Sequence, residues 1–137
     1  MLICRMSPKT HTQILNLYAD VIRQDMTISA YALEPETEPH LSVNIVGNVR
    51  SGIFAGQMIE FQISASSHFS PQDPYCGVLI TTQPQPIFSV RIDPQRFTHI
   101  VTLIANKAVQ ELFIAFETPR YRKANVLSWH VSTSVED

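Results

Sequence analysis

The stretch MIEFQIS at residues 58–64 decides the fold class, because its apolar and polar side chains alternate. The inward-facing candidates are Ile59, Phe61 and Ile63, and polar residues separate them. Successive side chains of a β-strand point to opposite faces, so this pattern is typical of a strand with one buried and one wet face. It predicts an antiparallel sheet that packs on a core through one side.

Further strand-like segments lie on both sides of this stretch. Alternation predicts strands within 26–33 and 41–45, and apolar runs predict others at 76–82, 87–92, 99–105, 111–118 and 126–134. Short strands separated by turn signals predict a mainly β protein, here an antiparallel β-sandwich of about seven to nine strands with an immunoglobulin-like strand rhythm. A closed or partly closed barrel is the structural alternative. We find no helical period between the strands, which argues against parallel βαβ units.

One helix is predicted, near the N-terminus. Ser7 is a suitable cap and Pro8 suits the first helical position, where its missing N–H costs nothing. Apolar residues then follow at helical spacing: Ile14, Leu17, Tyr18, Val21 and Ile22. The length favours one domain over residues 1–137, with the helix over about 8–24 and the β-sandwich over about 26–134.

Two of the predicted strands are apolar on both faces. In the predicted strand 111–118, Phe113 and Ala115 lie on one face, and the residues of the other face are also apolar. The predicted strand 99–105 likewise has apolar residues on both faces. An antiparallel sheet normally keeps one wet face, so something must cover the other. The N-terminal helix is the first candidate, and a second copy of the chain, giving a homodimer through an apolar sheet face, is the alternative.

Composition restricts the classes of partner. Charged residues make up 16% of the chain and the formal net charge is −2, which leaves no basic stripe of the kind that nucleic-acid binders carry. No apolar run reaches the length of a membrane-spanning helix, and no signal-peptide pattern develops after Met1. The two cysteines, Cys4 and Cys76, are expected as free thiols. We expect a cytoplasmic protein that binds neither membrane nor nucleic acid.

No motif commits the chain to a reaction, a metal or a cofactor. The histidines lack the spacings of zinc sites, and the four glycines form no nucleotide-binding loop. Cys76 with His99 or His130 is the one arrangement that could support nucleophilic catalysis, and it lacks a local signature. Alternation places Trp129 in the core. We therefore expect a protein without enzymatic activity, catalytic residues, metal ligands or a cofactor.

The short basic cluster Arg120-Tyr121-Arg122-Lys123 is the candidate partner-binding site. It follows Pro119 in the connection between the last two strands, and arginine and tyrosine are enriched at interface hot spots. We therefore predict a non-enzymatic protein-binding module, such as an adaptor, an inhibitor or an assembly subunit, whose partner is another protein. The alternative is a β-sandwich that binds a small ligand or a carbohydrate through exposed rings, for which Phe69, Tyr75 and Tyr121 are candidates.

Overall fold

A computed structural model of the protein describes residues 13–29, 40–66, 70 and 72–133. The described residues form seven strands and one helix. In chain order they are β1 (Ile14–Ser29), β2 (His40–Gly52), β3 (Met58–Ala65), β4 (Gly77–Thr81), β5 (Ile87–Ile92), α1 (Pro94–Ala105), β6 (Val109–Glu117) and β7 (Ala124–Thr133). The strands pair in the order β1-β2-β3-β5-β4-β7-β6, and the sheet closes into a barrel because β6 also pairs with β1.

The mainly β class is confirmed, and a closed seven-stranded barrel replaces the predicted sandwich. All neighbouring strands run antiparallel except β3 and β5, which run parallel. Closure depends on β1, which pairs with β2 along most of its length and with β6 through its first half. A sandwich and a barrel both alternate inward and outward residues along each strand, so alternation alone could not separate the two.

The first half of β1 corrects the predicted N-terminal helix over residues 14–24, and residues 8–12 lie outside the described part of the chain. Leu17 and Ala19 point into the barrel and are fully buried, whereas Tyr18 and Ile22 remain exposed. Irregularities in the pairing with β2 follow Tyr18 and Val21. Apolar residues lie on both faces of this half of β1, with Leu17 and Val21 against the core and Tyr18 and Ile22 outside, and their combined spacing imitates that of a helix.

The helix α1 occupies the segment that we predicted as a strand at 99–105. Its start is well defined, because the Asp93 side chain accepts a hydrogen bond from the backbone N–H of Arg96 and Pro94 occupies the first turn. Phe97, Ile100 and Ile104 form its buried face. Among the described residues, no helix is both long and apolar enough to cross a lipid bilayer.

The core lies inside the barrel and extends to α1, which packs mainly against β1. Its largest fully buried side chains come from six strands and the helix: Leu17, Val43, Ile45, Ile59, Phe61, Ile63, Leu79, Phe88, Ile104, Leu112, Ile114 and Phe116. Trp129 is half-buried against this core, with its ring 5.2 Å from the ring of Phe61 in an edge-on arrangement. The predicted alternation of 58–64 is thereby confirmed in β3.

The second apolar face of β6 is covered by neighbouring strands. The Phe113 ring lies on the outside of the barrel, 4.9 Å from the Tyr18 ring on β1 and 5.1 Å from the His130 ring on β7. These three residues are directly opposite one another in the strand register. Cross-strand aromatic pairs of this kind stabilise a sheet without any further layer. Neither a helix nor a second subunit is required to explain the apolar character of 111–118.

A single buried amide connects β1 to the segment that follows α1. Gln24 Nε2 donates to the carbonyl oxygen of Val109 at 2.8 Å, and the backbone N–H of Val109 donates to Gln24 Oε1 at 3.1 Å. Lys107 Nζ donates to the backbone carbonyl of Gln24 at 2.9 Å. The amide thus completes the ladder between β1 and β6 beyond the last pair of backbone partners, Asp20 and Glu111.

Candidate functional site

The four residues of the predicted partner-binding site form one tight turn between β6 and β7, which we call the 120–123 turn. The backbone N–H of Arg120 donates to the carbonyl of Lys123 at 2.7 Å, and the N–H of Lys123 donates back to Arg120 at 3.0 Å. The central residues Tyr121 and Arg122 have φ values of 53° and 68°. Two positive φ values in a two-residue loop are characteristic of the type I′ hairpin turn, whose twist matches that of the flanking strands.

Tyrosine and arginine are costly residues at these two positions. Asn-Gly is the preferred pair, because a left-handed backbone brings Cβ close to the following carbonyl oxygen, a cost that glycine avoids and asparagine tolerates. Two other non-glycine residues of the described chain have positive φ, and both have compensating contacts: the Phe54 ring stacks on Phe116, and Lys107 bonds to Gln24. Tyr121 is 98% exposed and has no ring contact with any described residue. No side-chain contact with a described residue compensates its backbone cost.

The 120–123 turn concentrates positive charge. Arg120, Arg122 and Lys123 are exposed and form no ion pair with a described residue. The carboxylate that lines the adjoining groove is Glu117, and both of its oxygens are engaged within the protein. Glu117 Oε2 accepts from Tyr75 Oη and Oε1 accepts from Asn125 Nδ2, each at 3.0 Å. The cations of the turn therefore remain available to an acidic group from outside.

A groove of about 520 Å³ runs beside this turn along the outer face of β4. Its apolar wall is formed by Val78 and Ile80, which are 43% and 41% exposed, and Arg120 and Lys123 stand at its rim. Large aliphatic side chains that protrude from a closed barrel gain nothing from the core. An apolar strip next to unpaired cations is the composition expected of a surface that another molecule covers.

A second and larger concavity lies under α1, on the side that faces β7. It has a volume of about 600 Å³ and brings together Cys76, His99 and His130, the three residues that the sequence offered as a nucleophilic arrangement. Cys76 Sγ donates to the carbonyl of Val126 at 3.7 Å, and burial raises the pKa of the thiol above its ordinary value. A thiol with a raised pKa is a poor nucleophile at neutral pH, since the thiolate is the reactive form.

Sequence reasoning missed three further polar residues of this pocket, Arg91, Gln95 and Arg96. They surround the start of α1, where Asp93-Pro94 is a helix-start signal that the prediction of a strand at 99–105 did not take into account. In the described part of the chain no group of three potential ligands could hold a metal ion. Of the candidate ring residues, Tyr75 and Tyr121 are exposed, and Phe69 lies outside the described residues.

Comparison with known proteins gives no match to a protein-family profile, a curated protein or a solved structure. We therefore infer function from the geometry of this chain alone.

Proposed function

We propose that the protein is a non-enzymatic protein-binding module that contacts another protein through the 120–123 turn. The observation that carries this proposal is the backbone of Tyr121, which adopts a positive φ while its side chain is 98% exposed. Strained conformations persist where they are part of a function, and this one presents an aromatic ring to solvent. Tyrosine and arginine are also the residue types that dominate binding energy at interfaces.

The surroundings of the turn define the chemistry of the partner. Three unpaired cations favour an acidic segment, and the exposed Val78 and Ile80 favour an apolar side chain next to it. Opposite charges across an interface accelerate association and exclude wrong partners. The partner is therefore a protein segment in which aspartate or glutamate stands beside a large aliphatic or aromatic residue. The free thiol of Cys76 fits an encounter in the reducing cytoplasm.

A second copy of this chain is the competing occupant. Homodimers bury the same patch on both subunits, and the three cations of one turn would then face those of the other across the axis. This repulsion favours a different protein as the partner. Sedimentation of the isolated protein separates the two cases, because a dimer that dissociates on mutation of the turn would assign this surface to self-association.

The experiment compares two single charge reversals that change the net charge equally. Arg122→Glu alters the 120–123 turn, and Arg23→Glu alters an exposed arginine on β1 whose one ion-pair partner among the described residues is Asp25, at 3.5 Å. Tagged wild-type protein and both variants are used to capture partners from lysate of the source cell. We expect one acidic partner to be retained by Arg23→Glu and lost by Arg122→Glu. Equal capture by both variants would remove the turn from the interface.

A further inference from the structure

The pocket under α1 exists because the helix leaves part of β7 uncovered. The backbone ladder between β4 and β7 extends from Leu79–Ala124 to Gly77–Val126, and β7 continues to Thr133 with β6 as its neighbour. The helix packs on β1 and, to a smaller extent, on β3. A space of about 600 Å³ therefore remains between α1 and β7, within the size range of small-molecule sites. We call it the α1–β7 pocket.

The floor of the α1–β7 pocket is apolar. It is formed by Trp129 and Leu127 of β7 and by Ile100 and Leu103 of α1. The edge-on contact with Phe61 holds the indole against the barrel core. A tryptophan face with aliphatic neighbours receives an aliphatic chain or a ring by removing apolar surface from water.

The rim of the pocket is rich in hydrogen-bond donors. Arg91, Arg96, His99 and His130 line it, and none of the lining residues that the structure describes is acidic. Arg96 is partly neutralised, with its Nε 3.2 Å from Asp93. Arg91 forms no ion pair with any described residue, so its guanidinium is the free positive charge of the rim.

We propose that the α1–β7 pocket binds a small amphipathic anion, with its carboxylate or phosphate group at Arg91 and its apolar body against Trp129. A guanidinium binds both oxyanions through paired, charge-assisted hydrogen bonds. The apolar floor selects ligands that carry a chain or ring over inorganic ions. This site is separate from the 120–123 turn and is independent of the proposed protein partner.

Trp129 makes the test direct, because it is the single tryptophan of the chain and lines the pocket. Octanoate, octyl phosphate and the uncharged octanamide are titrated while tryptophan fluorescence is recorded, and thermal unfolding with each compound provides a second readout. We expect both anions to change the fluorescence and raise the melting temperature, and octanamide to bind about tenfold more weakly. The tighter of the two anions identifies the headgroup.

The matched variants are Arg91→Gln in the pocket and Arg122→Gln in the 120–123 turn, both at exposed arginines. Arg91→Gln should weaken octanoate or octyl phosphate binding by about tenfold and leave octanamide unchanged, whereas Arg122→Gln should change neither. The assignment of an anion site would be overturned if wild-type protein bound the anions and octanamide equally well. It would also be overturned if Arg91→Gln bound the anions as tightly as wild type. Absence of both the fluorescence change and the thermal shift would overturn the pocket itself.

Discussion

The phenol of Tyr75 donates a hydrogen bond to Glu117 across 3.0 Å and joins the segment before β4 to the end of β6. The second oxygen of the same carboxylate accepts from Asn125. Glu117 is the one acidic residue among the described lining of the groove beside the 120–123 turn, and it forms no ion pair with Arg120 or Lys123. Arg120 and Lys123 therefore stand at the groove without a counter-ion among the described residues.

The bond between Tyr75 and Glu117 predicts how the tyrosine titrates. The hydrogen bond and the negative charge of Glu117 both raise the pKa of Tyr75 above its ordinary value. Glu117→Gln should lower this pKa towards the ordinary value of a tyrosine. Ultraviolet difference spectroscopy measures the titration, and Tyr75→Phe identifies which of the four tyrosines is responsible. An identical titration in Glu117→Gln and wild type would contradict the bond.

The same bond has a consequence for stability against pH. Because the pKa is raised in the folded state, the protonated phenol stabilises the fold, and this contribution is complete below the unfolded pKa. It is lost as the pH rises through the raised pKa. Wild-type protein should therefore lose more stability than Tyr75→Phe when the pH rises through this range, measured by urea unfolding. Parallel losses in the two proteins would show that Tyr75 makes no such contribution.

The amide of Gln24 predicts a large cost for its removal. Gln24→Leu abolishes both hydrogen bonds to Val109 and leaves a backbone N–H and a carbonyl of a buried residue without partners. We expect a loss of about 1–3 kcal/mol in the free energy of unfolding. The control is Gln110→Leu, which makes the same change at the exposed neighbouring position of β6. Equal stability of the two variants would show that the amide does not support the barrel.

Burial of Cys76 predicts slow thiol chemistry. Burial raises the pKa of this thiol, so less thiolate is present at neutral pH than in an unfolded chain. In a Cys4→Ser background, iodoacetamide should alkylate Cys76 more slowly in the folded protein than in denaturant. Faster alkylation in the folded protein would contradict this, and it would favour the alternative in which Cys76 acts with His99 or His130.

The sequence predicts the strands from β3 onward well, because strict alternation and proline punctuation are local signals. It fails at β1 and α1 for physical reasons. In β1 apolar residues occupy both faces, with Leu17 inside and Tyr18 and Ile22 outside, so their combined spacing imitates a helix. Its two ladders with β2 and β6 are long-range contacts that no local pattern shows. In α1 the β-branched residues Thr98, Ile100 and Val101 favour a strand, but the Asp93 cap and burial of Phe97 and Ile104 outweigh that preference.

The two candidate sites also differ in how far the sequence alone predicts them. The basic residues of the 120–123 turn are adjacent in the chain, so the sequence alone placed them together between the last two strands. The exposure and positive φ of Tyr121 became visible only with the backbone. The α1–β7 pocket could not be predicted, because it assembles residues from β5, α1 and β7 through a helix that we had assigned as a strand.

The central claim, that the 120–123 turn is kept for binding at a cost in stability, is tested most directly by Tyr121→Asn/Arg122→Gly. This change installs the pair that a type I′ turn prefers. Thermal unfolding and partner capture from lysate are measured on the same preparations, with Arg23→Glu as the control. We predict that the double variant unfolds at a higher temperature, because its free energy of unfolding is about 1 kcal/mol larger than that of wild type. We also predict that it no longer captures the partner. A double variant that captures the partner as well as wild type would contradict the account.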